Sequence, residues 1–196
     1  MRILSIAIIL ITFLQCSKQK TVTFDTRISQ VFFGAPLDSN NKKIFDYYRA
    51  SKHFSFEPPE DYAIYPPLSA LDQSDTKTNT FRFKTHPHLF FKFKEGELII
   101  ENRKSHDQEV YSKPFIKFLF DHEKQCDAAY NILLDEFTIL STRKRIENTP
   151  STKNAKFTDD NSIKMKKVTI WQGKGYSFPS PYAITFWLEN DMDSKK

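Results

Sequence analysis

The stretch FKFKEGELII, residues 91–100, decides the fold. Phe91 and Phe93 alternate with Lys92 and Lys94, Glu95-Gly96 offers a turn, and Leu98 and Ile100 resume the alternation. A period of two puts every second side chain on one face, so the stretch predicts a β-hairpin with one apolar face and one polar face. The same signal recurs outward from it. Phe81 and Phe83 alternate before it, and Phe115–Phe120 forms an apolar run after it. Near the end come Val168 and Ile170, a turn through Gly173-Lys174-Gly175, and then Tyr182, Ile184, Phe186 and Leu188. Trp171 and Trp187 stand at the opposite parity to these sets.

Helical spacing interrupts the strands. Cys126, Ala129, Tyr130, Leu133, Leu134 and Phe137 recur at helix-face offsets after a capping Asp121, which predicts one continuous apolar stripe. A shorter helix is expected from about Asn40 to Ala50, capped by Asp38 or Ser39, with Leu37, Ile44, Phe45 and Tyr48 inward. Ile28, Val31, Phe32 and Phe33 read as a buried strand running into a turn at Gly34-Ala35-Pro36. Hairpins outnumber long crossovers, so the expected class is α+β, with antiparallel sheet built from hairpins and packed against two main helices. One domain, residues 24–190, accounts for the pattern, followed by a polar tail, 191–196.

The amino terminus has a different logic. Arg2 precedes an apolar block, Ile3 to Leu14, interrupted only by Ser5, Ala7 and Thr12, and the block ends in FLQCSKQK, residues 13–20. It is too short for the ~20 residues that span a bilayer core, and its order of charge then apolar block is that of an export signal. The stretch ending at Cys16 resembles a bacterial lipoprotein signal peptide, whose Leu-x-x-Cys lipobox carries the acylated cysteine; here Phe13 and Gln15 depart from the usual lipobox residues. The resemblance implies removal of residues 1–15, a diacylglycerol on Cys16, a short polar tether over 16–23 and attachment to the membrane without crossing it. Ser17 after the cysteine implies the outer membrane of the cell envelope. Composition, with 19 Phe and only 4 Gly, is similar to that of AT-rich, Bacteroidetes-type genomes.

A net charge of +5 is spread among 24 acidic residues and forms no basic stripe, which sets nucleic-acid binding aside. Cys16 and Cys126 are the two cysteines, so acylation of the first leaves Cys126 without a disulfide partner. Its place on the helical stripe marks it as a buried small hydrophobe.

Candidate sites are few. EPPEDYAIYPPLSAL, residues 57–71, favours extended chain and presents Tyr62, Tyr65, Pro66 and Pro67 as a partner-binding surface within a loop expected over Glu57–Thr80. A second polar loop is expected over Ser141–Ser162, and Arg143-Lys144-Arg145 at its start is a candidate anion or headgroup contact. His86 and His88, on one face of an extended segment, have the spacing of two ligands to one metal. His122-Glu123 starts like a zinc-protease helix, but Cys126 stands where the second His belongs. No nucleophile elbow, phosphate loop or cofactor motif is present. The expected function is that of a non-enzymatic binding or accessory lipoprotein with a protein partner. The alternatives are a small hydrolase built on His86, His88, His122 and an acid, and an immunity or inhibitor lipoprotein.

Overall fold

A computed structural model describes residues 22–58, 76–105, 108–163, 165, 167–174 and 182–188. In chain order these form α1 (Phe24–Val31), α2 (Asn41–Ala50), β1 (Ser55–Glu57), β2 (Thr76–Phe83), β3 (Glu95–Ser105), β4 (Gln108–Tyr111), β5 (Phe115–Phe120), α3 (Glu123–Leu140), β6 (Arg143–Asn148), β7 (Thr152–Thr158), β8 (Lys167–Lys174) and β9 (Tyr182–Leu188). The class is α+β, dominated by one nine-stranded sheet in which every pairing is antiparallel. Strand order is β1-β2-β3-β5-β9-β8-β7-β6, with β4 folded back on β3. The chain leaves the middle of the sheet through α3, starts again at the far edge with β6, and returns strand by strand until β9 pairs with β5.

Register explains why the sheet has one core face. Phe81 lies opposite Leu98, Leu98 opposite Ile116, Ile116 opposite Phe186, Phe186 opposite Ile170, and Ile170 opposite Ala155. All six are buried, so a single apolar row crosses six strands. A slip of one residue in any strand would turn its share of that row to the other face. The helices pack on this row: Phe45 of α2 meets Phe81, and Phe137 of α3 meets Phe157 and Phe186, while Phe32 beyond α1 meets Phe186. Gly96 belongs here too, because the Phe83 ring fills the space a Cβ would need, at 2.1 Å.

Several expectations need correction. The segment around Ile28 is helix α1, not a strand: Phe24, Arg27, Ile28 and Val31 are buried at offsets 0, 3, 4 and 7, and the Thr23 hydroxyl accepts from the Thr26 N–H at 3.2 Å. Its β-branched and aromatic residues mimic a strand locally, and the cap with the helical spacing wins. Phe33 and Gly34, at φ of 57° and 77°, then reverse the chain. The cap of α2 is Asn40, whose side chain accepts from Lys43 N, rather than Asp38 or Ser39. At α3 the N-cap is His122, with no side-chain cap bond, rather than Asp121. There are thus three helices among the described residues, not two.

The opening hairpin is also re-registered. Residues 90–94 are not a strand, and the partner of β3 is β2, so Leu98 faces Phe81. Phe91 and Phe93 instead turn inward and pack their edges on Phe118. The loop expected over Ser141–Ser162 is largely the β6–β7 hairpin, whose polar sequence reflects a strand exposed along its whole length. Thr76–Thr80, expected in the Pro/Tyr loop, begins β2.

Candidate functional site

His86 and His88 sit in the β2–β3 connection, where it crosses the end of α1. The His86 ring is buried; Nε2 lies 3.0 Å from the Val31 carbonyl and Nδ1 accepts from the His88 N–H at 3.2 Å. Both ring nitrogens are therefore occupied, and the bond to a carbonyl fixes the proton on Nε2. Burial among Phe33, Phe83 and Phe118 is the main cause that pulls the imidazole down to about 4, opposed by the bond to Val31 and aided by the charges of His88, Arg27 and His53. This histidine is a neutral staple between loop and helix. His88 is exposed, and His122 stands on a separate element at the start of α3. Among the described residues no group of three His, Cys, Asp or Glu side chains is placed to hold a metal.

Beside this loop Arg27, itself buried, ties three elements. Its Nε donates to Glu136 Oε2 of α3 at 2.9 Å and its NH1 donates to the His88 carbonyl at 3.0 Å and to Gln30 at 3.2 Å; its NH2 also bonds Glu136. Arg27 and Glu136 floor a shallow, mostly apolar cleft of about 400 Å³ lined by Val22, His88, Phe90, Ile139 and Leu140.

The sheet's other face meets none of the helix ring contacts described above. Its register brings together residues far apart in sequence: Phe115 is opposite Trp187, Trp187 opposite Thr169, Lys117 opposite Thr185, and Thr185 opposite Trp171. The rings of Phe115 and Trp187 are 6.4 Å apart and those of Trp187 and Trp171 6.3 Å, forming one aromatic row across β5, β9 and β8. The Trp171 indole lies flat on its own strand, over Gly173, where a Cβ would come within 2.2 Å of it. Thr169 and Thr185 are buried between these rings, while the aromatics keep part of their surface open. Lys117 reaches to 5.7 Å from the Phe115 ring, and its ammonium is pulled below the usual lysine range, chiefly by burial and against the attraction of Glu97. Toward β1 the same face carries Arg82 with Glu57 at 2.8 Å, Glu95 at 2.9 Å and Glu97 at 2.7 Å.

Other candidates are placed as follows. Arg143, Lys144 and Arg145 alternate along the exposed edge strand β6, so strand geometry splits them between two faces; Arg143 pairs with Asp160, and Arg145 with Glu147 at 2.6 Å. Cys126 is buried, and burial first, then Asp127, pushes its thiol up to about 12, so it stays protonated. It adjoins a small cleft of about 180 Å³ where Asp127 bonds Lys153 at 2.7 Å and Gln172 Nε2 at 2.5 Å. Cys16 and Tyr62, Tyr65, Pro66 and Pro67 lie outside the described residues, and among the described residues no helix is long and apolar enough to cross a membrane.

The parity of the two tryptophans was the one trace of the aromatic row in the sequence. Which strands would carry Phe115, Trp187 and Trp171 side by side depends on pairing across about 70 residues, which no local pattern encodes. Comparison with known protein families, curated proteins and solved structures finds no match.

Proposed function

We propose that this chain is a lipid-anchored binding protein of the bacterial envelope that uses the open face of its sheet to hold a protein partner. The anchor reading rests on the lipobox-like FLQC ending at Cys16. The binding reading rests on one observation above all: Phe115, Trp187 and Trp171 make a continuous aromatic row flanked by Lys117 and the Arg82 ion cluster. Large rigid aromatics surrounded by charged groups have the composition of an interface centre and rim. The histidines do not act together: His88 lines clefts with Asp25, Asp38 and Glu136, but both His86 ring nitrogens are already bonded and His122 stands apart at the start of α3.

The experiment follows from a convenience of the sequence. Both tryptophans of the chain are in this row, so intrinsic tryptophan fluorescence reports on that face alone. A partner captured by cross-linking in native envelopes and then purified is titrated onto the protein. Binding should shift the emission and should weaken by tenfold or more in Trp171→Ala and Trp187→Ala, about the loss expected of an interface centre. Binding that leaves the emission untouched and survives both substitutions would remove the open face from the proposal.

A further inference from the structure

We infer that the end of the domain around the start of α1 lies against the membrane surface, held there by an apolar patch. Phe90 (90% exposed), Ile163 (90%) and Ile139 (83%) are the three most exposed large hydrophobic residues among those described, and Val22, at 42%, stands with them. They come from four separate parts of the chain: three of them meet in one cleft and the fourth is tied to the first turn of α1. Val22, Phe90 and Ile139 line the same cleft. Ile163 is brought to the other side of α1 by Asp25, whose carboxylate accepts from the Ile163 N–H at 3.2 Å, the Met165 N–H at 3.1 Å and the Ser162 hydroxyl at 2.6 Å. The acid inside the cleft, Glu136, is neutralised by Arg27.

What covers this patch follows from where the chain goes. Val22 opens the described domain, and six residue steps lead to it from Cys16. Fully extended they reach about 20 Å, so an acyl anchor at Cys16 keeps this end of the domain close to the bilayer. Lys18 and Lys20 in the tether add the charge that anionic headgroups attract. Phe and Ile side chains standing free on that surface are suited to enter the boundary between headgroups and acyl chains. The lipid would then meet the protein twice, covalently at Cys16 and by insertion at the patch. This inference rests on the anchor reading above, and it orients the domain on the membrane.

The test uses the acylated full-length protein in vesicles of phosphatidylethanolamine and phosphatidylglycerol. Cys126 is buried, so single cysteines introduced as Phe90→Cys, Ile139→Cys, Ile163→Cys and, as control, Lys156→Cys on β7 take a spin label selectively. With the protein bound to vesicles, the labels at 90, 139 and 163 should be more accessible to dissolved oxygen than to a water-soluble nickel complex, and the label at 156 the reverse. If the protein floats with the vesicles and all four labels stay in water, the patch is not membrane-facing, although the anchor stands. If the labels are shielded before vesicles are added, a protein surface or the chain's own apolar amino terminus covers the patch, and the inference is likewise overturned. If the protein does not float, or floats equally well as Cys16→Ser, the anchor reading itself fails and takes this one with it.

Discussion

Two glycines with the same local problem should answer substitution differently. At Gly96 a Cβ would enter the ring of Phe83, which is buried against Phe33 and Phe118 and has nowhere to go; Gly96→Ala should destabilise the fold by about 2–3 kcal/mol, the range of an overpacked core. At Gly173 the obstructing ring is that of Trp171, half-buried on the open face, which can swing toward solvent. Gly173→Ala should cost under about 1 kcal/mol by urea unfolding, well below the core range, yet change the tryptophan emission, because it breaks the aromatic row without opening the core. Equal destabilisation by both would mean that the Trp171 ring is locked as firmly as Phe83. His86 supplies a pH prediction. Its native value of about 4 lies below the ordinary histidine value near 6.5, so between these limits the unfolded chain binds a proton that the native state refuses. Stability contributed by the neutral ring is therefore present above pH ~6.5 and is lost on acidification, by about 2–3 kcal/mol at pH ~4. Unfolding curves from pH 7 to 4 should be flatter for His86→Gln than for the wild type, and parallel curves would assign the acid sensitivity to other groups.

The loop between β7 and β8 is attached to α1 by one carboxylate, and this makes Asp25 the residue on which that element depends. Asp25→Ala removes three accepted hydrogen bonds at once, from Ser162, Ile163 and Met165. The expected result is a loss of about 1–3 kcal/mol together with faster amide exchange at Ile163 and Met165, while amides of β8 beyond Val168 keep their protection. Uniform acceleration across the sheet would show instead that the loop is part of the global folding unit. Asp25 also marks the boundary of what the sequence could tell. Elements whose signal is local were legible: the stripe from Cys126 to Phe137 is α3, and the alternations at Phe81, Phe115–Phe120, Val168 and Tyr182 are strands. The hairpin at residues 91–100 misled because a loop that packs Phe91 and Phe93 against the core and a strand that buries Leu98 and Ile100 have the same spacing of apolar residues. Charged β6 looked like a loop because an edge strand exposed on both faces has no alternation to read. Contacts such as Asp25 to Ser162, or Phe115 to Trp187, join distant segments and leave no local trace.

At the scale of the whole molecule, the row of strands from β1 to β6 has an edge at each end, and each edge offers unpaired backbone groups to any passing strand. At one end β1 is only three residues long, too short to template another chain. At the other, β6 runs for six residues, all exposed, and carries Arg143, Lys144, Arg145 and Glu147. On this reading the basic run is a guard for the edge: its alternation points positive charge out of both faces, so a second molecule adding edge to edge would set like charges side by side. That role does not depend on any bound anion, and it separates cleanly from one. The triple substitution Arg143→Thr, Lys144→Val and Arg145→Thr keeps strand propensity and removes the charge. Since exposed ion pairs contribute little, the monomer's unfolding midpoint should hardly move. Light scattering during size-exclusion chromatography should nevertheless show dimers and larger species growing with protein concentration, and more slowly when only Arg143 is replaced. A triple variant that stays monomeric at the concentrations where the wild type is monomeric would show that β6 is protected by its twist or by neighbouring chain, and would leave the three cations free for a headgroup or partner contact.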